Sequence, residues 1–153
     1  MRGGPAQRGG AAALALLCGL AAPALAEEGG ELAPYQMVRS LQMVQDRIAA
    51  GDHAAMPMQR KLLEMIDARL KASRPEDFAD QRNFRSLLIY GMSGGNPVTL
   101  DHVLAKLTLD DDQKRLASGV LNYVNGRPMA ARAALGPVDP LKADNEIGAF
   151  IAL

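Results

Sequence analysis

The chain has 153 residues, enough for one domain, and carries 17 basic and 17 acidic side chains. This balance leaves no basic stripe for nucleic-acid phosphates, so nucleic acid is excluded as an expected partner. Cys18 is the single cysteine, so an intrachain disulfide framework is excluded as well. A chain of this size can bury an apolar core without such cross-links.

Residues 1–26 have the layout of a secretory signal peptide. Arg2 and Arg8 provide a basic start, residues 11–22 form an uncharged apolar stretch, and Ala24-Leu25-Ala26 is a cleavage site of the A-x-A type. The apolar stretch is shorter than the about 20 residues that a membrane-spanning helix needs. The sequence therefore predicts a periplasmic protein that loses residues 1–26 and does not insert into the membrane afterwards.

Cys18 raises the alternative of a lipid-anchored protein. A lipid-modified cysteine follows a small residue, whereas Leu16 and Leu17 precede Cys18. Cys18 is therefore interpreted as an ordinary residue of the apolar stretch. Cleavage after Ala26 leaves 15 basic and 17 acidic residues, a net charge of −2.

Residues 27–33 are rich in Gly and Glu and are predicted to form a disordered lead before a helical domain over residues 34–153. The first helix ends at Gly51, and Asp52 is expected to cap the second. Both helices have apolar residues at helical spacing. These residues are Met37, Leu41, Val44 and Ile48 in the first helix, and Met58, Leu62, Met65, Ile66 and Leu70 in the second.

Residues 73–79 are expected to form a loop around Pro75, after which Asp80 caps a third helix that ends at Gly94-Gly95. Asn96-Pro97 opens a fourth helix, since Asn is a good cap and Pro suits the first helical position. Asp110–Asp112 start a fifth helix, whose inner face is predicted to hold Leu116, Val120 and Tyr123. A sixth helix follows Gly126-Arg127-Pro128 and ends near Leu135, and a last segment with Asp144 or Asn145 as its cap carries Ile147, Phe150 and Ile151.

The predicted fold class is all-α, a series of helical hairpins joined by short loops, because no segment alternates clearly as a strand does. Residues 120–140 resemble a tetratricopeptide unit, with Gly126 and Ala131 at the turn and small-residue positions. No clean repeat of ~34 residues is visible, so a tetratricopeptide-like solenoid is a candidate arrangement within the all-α class.

Gly91-Met92-Ser93-Gly94-Gly95 matches the G-x-S-x-G pattern of a serine hydrolase. That pattern needs a strand before the serine and a helix directly after it. Here the next helix starts only at Pro97, and His102 lies too close downstream for the usual order of the triad. The favoured interpretation is a helix end followed by a glycine turn, with no catalytic residue, and a Ser93 hydrolase remains the enzymatic alternative.

The candidate metal ligands are explained more simply by helix architecture. His53 and His102 are the only histidines, too few for a zinc site, and both are expected to be exposed. The methionines could bind copper, but several of them fall at core spacing, and a groove for a partner protein is the second interpretation. Asp110–Asp112 lack the glycine and distant glutamate of a calcium loop. The sequence predicts neither a metal nor a cofactor.

Two segments resemble the MotC family of periplasmic motility proteins. The first runs from Pro34-Tyr35-Gln36-Met37-Val38-Arg39-Ser40-Leu41-Gln42 through Gly51-Asp52-His53-Ala54-Ala55 to Ile66-Asp67-Ala68-Arg69-Leu70. The second is Leu88-Ile89-Tyr90-Gly91-Met92-Ser93-Gly94-Gly95-Asn96-Pro97. Members of the family are longer, so the resemblance implies that residues 34–153 are the N-terminal part of a longer family domain.

The resemblance implies a non-enzymatic periplasmic protein needed for flagellar rotation, which binds or chaperones the periplasmic part of the stator protein MotB. A generic helical-repeat adaptor of the cell envelope is the alternative with the same fold. The residues chosen for protein contact are in the first helix and the glycine turn: Met37, Met43, Ser93 and Asn96.

Overall fold

The computed structural model describes residues 32–139 and 147–148. The regular structure of that part is helical throughout, which confirms the all-α prediction. Its α-helices are α1 (Pro34–Ala49), α2 (Met56–Ala72), α3 (Gln81–Met92), α4 (Pro97–Leu104), α5 (Asp111–Val124) and α6 (Pro128–Leu135). Two 3-10 helices, His53–Ala55 and Pro75–Ala79, lie between them, the second where a plain loop was expected.

The α1–α2 hairpin closes around a left-handed glycine. Gly51 has φ +100°, which glycine adopts without a steric penalty, so it ends α1 as predicted. The expected cap at Asp52 is wrong, because its side chain makes no capping hydrogen bond. Its carboxylate Oδ2 instead lies 2.6 Å from Nη2 of Arg47.

Leu32, two residues before the predicted start of the domain at Pro34, already belongs to the packed domain. Leu32 is only 9% exposed and belongs to the core. Its carbonyl accepts a hydrogen bond of 3.0 Å from Nε of Arg69 on α2. Residues 32 and 33 therefore do not belong to a disordered lead, because an apolar side chain and a long-range hydrogen bond hold this point of the chain.

Helix α3 is the centre of the molecule. It packs against both α1 and α5, and every residue from Ser86 to Gly91 is buried. A helical segment that is apolar on all sides belongs inside a protein, and the second half of α3 is such a segment. Asp80 caps α3 as predicted, accepting a hydrogen bond of 2.8 Å from the Arg82 amide.

The starts of α4 and α5 follow the predicted capping rules. Asn96 Oδ1 accepts a hydrogen bond of 3.0 Å from the amide of Val98. The Asp110 carboxylate accepts one of 2.8 Å from the amide of Gln113, and the Asp110 amide donates one of 3.0 Å to Oε1 of the Gln113 side chain. This reciprocal pair is a capping box, so capping accounts for the acidic residues at this end.

The inner face of α5 differs from the prediction at one residue. Val120 is fully buried, whereas Tyr123 is 50% exposed and was wrongly placed in the core. Gly119 instead faces α6, since a Cβ built on it would lie 2.4 Å from Cγ of Leu135. The missing side chain lets α5 and α6 approach closely, and periodicity alone does not detect such an approach.

The helices pack as a chain of neighbours. Helix α1 packs against α2 and α3, α3 against α5, α2 against α4, and α5 against α6. Because α4 has only eight residues and its packing against α6 is sparse, this arrangement does not establish a regular repeat. The tetratricopeptide-like interpretation stays a prediction.

The end of the chain is only partly described. Ile147 is 5% exposed and belongs to the core, in line with its predicted apolar role. The other residues of the predicted last segment, Asp144, Asn145, Phe150 and Ile151, lie outside the described residues. Across the described ranges, no helix has the length and hydropathy to cross a membrane.

Candidate protein-binding surface

The segment Gly91–Pro97, called the glycine turn below, joins α3 to α4. The amide of Gly95 donates a hydrogen bond of 3.0 Å to the carbonyl of Tyr90. Gly94 has φ +88°, and a Cβ on Gly95 would lie 2.5 Å from the Tyr90 ring. The turn therefore needs one glycine for its backbone conformation and another for its contact with the ring.

A hydrogen-bond chain through Tyr90 fixes the turn to α2. The Tyr90 hydroxyl donates a hydrogen bond of 3.0 Å to Asp67 and accepts one of 2.9 Å from the amide of Asn96. Asp67 also lies 2.6 Å from the ammonium group of Lys71. One buried hydroxyl thus links α2, α3 and the start of α4.

The electrostatics of this chain favour a charged carboxylate beside a neutral phenol. Partial burial raises the pKa of Asp67, but hydrogen bonds led by that from Lys71 outweigh it, and the pKa lies below its ordinary value. Burial raises the pKa of Tyr90 to about 12, opposed by the Asn96 amide and reinforced by Asp67. The phenol thus remains a hydrogen-bond donor at neutral pH, so the turn is held in place before any partner arrives.

Two shallow grooves meet at Pro97. The first, called the turn groove, has a volume of about 380 Å³ and is lined by Leu63, Glu64, Asp67, Tyr90, Gly94, Gly95, Asn96 and Pro97. Glu64 is exposed on the rim of this groove. Among the described residues, Glu64 forms no ion pair. The turn groove therefore has an acidic rim.

The second groove, called the helix groove, runs between α4 and α5 and has a volume of about 590 Å³. Its apolar lining includes Pro97, Val98, Leu104, Leu109 and Leu121, and Val98 is 76% exposed. Its charged lining residues are Asp101, Lys114 and Arg127. An apolar floor with a charged rim is the usual composition of a protein-binding surface.

The residues chosen for contact from the sequence fall in different places. Asn96 is exposed and lines the turn groove, and Ser93 lies in the glycine turn, where its hydroxyl is 3.3 Å from Oε1 of Gln45. Met43 is 42% exposed on α1 but lines neither groove. Met37 is only 5% exposed, so the structure places it in the core and not on a contact surface.

The helix before Ser93 removes the geometry of the hydrolase alternative. A nucleophile elbow needs a strand at this position, whereas residues 81–92 form α3. His102 is exposed on α4, and His53 is exposed as expected. Within residues 32–139 and 147–148, no three His, Cys, Asp or Glu side chains are close enough to hold a metal ion.

Sequence reasoning missed the helix groove. Val98 lies outside the apolar stripe of α4, so its side chain was not assigned to the core or to a contact surface. A signal was present in the sequence: Val98 is apolar, directly follows the proline that starts the helix, and has no place on the inward face. The function of Tyr90 was missed because its partners are 23 and six residues away.

The fold and this surface define an all-helical protein with a hydrogen-bonded turn beside two open grooves. A family model described as "Chemotaxis protein MotC" matches residues 4–153. The Chemotaxis protein MotC of Rhizobium meliloti (strain 1021) is 40% identical over 123 residues, which cover 80% of this chain and 28% of the relative. The chain belongs to the MotC family, and it spans less than a third of that relative's length. No solved structure matches the chain.

Proposed function

We propose that this chain acts in flagellar rotation as a periplasmic, non-enzymatic protein that binds or chaperones the periplasmic part of the stator protein MotB. The observation that carries this proposal is membership of a family whose Rhizobium meliloti relative is named a chemotaxis protein. The predicted signal peptide at residues 1–26 supports the periplasmic location.

The surface around Pro97 is the proposed contact site. The Tyr90 hydroxyl and the two glycines hold the glycine turn rigid, so a partner that binds there orders few additional groups. A preorganised surface loses less conformational entropy on binding, which favours affinity. The apolar helix groove supplies area to bury, and the charged residues at its rim can select the partner.

Val98→Asp tests this site in a binding assay with the purified periplasmic part of MotB. Val98 is 76% exposed at the second residue of α4, where an acidic side chain also suits the helix start, so the fold is expected to survive. The charge would be buried against an apolar partner surface, and we expect affinity to fall at least tenfold, measured by isothermal titration calorimetry.

Met129→Asp is the matched control for this variant. Met129 is 78% exposed and is also the second residue of an eight-residue helix that begins with proline. We expect its affinity to stay within twofold of the unmodified chain. Absence of MotB binding by the unmodified chain, together with normal swimming of a deletion strain, would contradict the proposal. Binding of a different envelope protein at the same surface would favour the adaptor alternative.

A further inference from the structure

The two walls of the helix groove are faces of two helices. On the α5 side the lining residues recur every three to four positions from Lys114 to Asn125, so they form one continuous face. That face rises by about 16 Å, or roughly three turns of helix. Val98, Asp101 and Ala105 lie along the α4 side. A groove of this length between two helices has the dimensions that a third helix of about three turns needs.

The side chains that line the bottom of the helix groove are buried or short. Leu104 and Ala117 are 6% and 5% exposed and form the floor, while Ala105 and Ser118 lie on the two walls. The distance between packed helices depends on the side chains at their contact, so short side chains let another helix approach closely. The groove volume of about 590 Å³ then holds the inward side chains of such a helix.

Other kinds of peptide suit the helix groove less well. An extended segment that adds to a sheet needs an exposed strand edge, and residues 32–139 and 147–148 contain no strand. A proline-rich segment binds a groove lined by aromatic side chains, whereas no aromatic residue in the described ranges lines this groove. The lining therefore favours an amphipathic helix, which packs an apolar face into a hydrophobic groove.

The charges on the two walls of the helix groove differ in sign. Asp101 lies on the α4 wall, whereas Lys114 and Arg127 lie on the α5 side, and all three residues are exposed. Lys114 has one long contact of 3.5 Å with Asp111. Within the part of the chain that the structure describes, Asp101 and Arg127 form no ion pair. A bound helix therefore meets a positive wall on one flank and a negative wall on the other, which favours side chains of the opposite charges.

We infer that the helix groove binds an amphipathic helix of the partner, about three turns long, with its apolar stripe against the floor. Acidic side chains of that helix face Lys114 and Arg127, and a basic side chain faces Asp101. This inference rests on the proposed function only for the identity of the partner protein, because the chemistry of the bound helix follows from the groove.

Charge reversal in the groove tests the two flanks. Asp101→Lys and Arg127→Glu are made separately, and affinity for the purified periplasmic part of MotB is measured by isothermal titration calorimetry. Each reversal places a like charge against the bound helix, so we expect affinity to fall at least fivefold. Asp46→Lys and Arg60→Glu are the matched controls, because both residues are exposed, line neither groove and form no ion pair among the described residues. The affinity of the control variants should stay within twofold of the unmodified chain.

Helical peptides test the occupant of the groove without MotB. Three stapled peptides of about four turns share leucines at i, i+3, i+4 and i+7. The first peptide has glutamates on one flank and lysines on the other, the second has glutamates on both flanks, and the third has lysines on both. In fluorescence anisotropy we expect the first peptide to bind the unmodified chain at least fivefold more tightly than the other two. Asp101→Lys makes both walls positive, so the second peptide should then bind more tightly than the first.

The outcomes separate the bound helix from the choice of MotB as the partner. Preference for the first peptide without any binding to MotB would support the helix site and contradict MotB as the partner. Equal binding of the three peptides, or binding of none, would overturn the inference. A MotB complex whose affinity is unchanged by both reversals in the groove would overturn it as well.

Discussion

At the scale of single residues, Tyr90 contributes most to the shape of the candidate surface. The Tyr90 side chain is only 1% exposed, and its hydroxyl is a polar group among apolar core residues. It donates to Asp67 and accepts from the Asn96 amide, so both of its neighbours depend on the same oxygen. Removing that oxygen leaves the Asn96 amide and the Asp67 carboxylate with one hydrogen-bond partner fewer each.

Tyr90→Phe is expected to lower the free energy of unfolding by about 1–3 kcal/mol, because it removes two part-buried hydrogen bonds that contribute about 0.5–1.5 kcal/mol each. The measurement is urea denaturation followed by circular dichroism. Tyr35→Phe is the matched control, because the Tyr35 ring packs under the Arg82 guanidinium at 4.6 Å and its hydroxyl has no hydrogen bond within the described ranges. Equal losses in the two variants would show that the hydroxyl of Tyr90 does not hold the turn.

At the scale of helices, close approach between neighbours depends on glycine. Gly119 lets α5 meet Leu135 of α6, and Gly91 lets α3 meet Leu100 of α4, where a Cβ would lie 2.6 Å from Cδ2. These contacts join helices that are adjacent in the chain, so each one shapes a local hairpin. The capping residues Asp80, Asn96 and Asp110 then determine where the helices begin.

Gly119→Ala is expected to lower the free energy of unfolding by about 1–3 kcal/mol, since the added methyl group must displace Leu135 in a packed contact. The higher helix propensity of alanine opposes this loss by about 1 kcal/mol at most. Gly136→Ala is the control, because its Cβ would meet nothing closer than 3.4 Å. Thermal unfolding of both variants should separate them, and a Gly119→Ala protein as stable as the Gly136→Ala protein would refute the close approach.

At the scale of the whole molecule, the contacts of α3 with two other helices favour unfolding of the domain as one unit. It packs against α1 on one side and α5 on the other, and Leu88 within it is fully buried. A central helix of this kind couples α1 to α5. In a loosely coupled solenoid, by contrast, each hairpin would contact only its neighbours and could unfold separately.

Leu88→Ala is expected to lower the free energy of unfolding by about 2–5 kcal/mol through the cavity it leaves. We expect one transition that is the same by far-UV circular dichroism and by tyrosine fluorescence, because Tyr35, Tyr90 and Tyr123 lie in α1, α3 and α5. Leu63→Ala, at a partly exposed position, should cost less. Separate transitions for the two probes would favour independent hairpins over a single cooperative domain.

Most of the fold was predictable because its determinants are local. The stop at Gly51 and the caps at Asp80, Asn96 and Asp110 depend on neighbours within a few residues, so capping rules identified them. Tyr123 was wrongly predicted to be buried, because periodicity does not show which side of α5 packs against α6. Met37 was chosen for contact because methionine suits both core and binding surface, and only burial separates the two.

By itself the sequence determined the all-helical class, most helix boundaries and a resemblance to the MotC family, since periodicity, capping and motif residues act over short distances. The tertiary structure alone decided that Leu32 joins the core, that Tyr90 holds the glycine turn, and that Val98 and Met129 remain exposed. The physical reason is that burial and hydrogen bonding between distant residues depend on how the helices pack, and packing brings together residues that the sequence keeps apart.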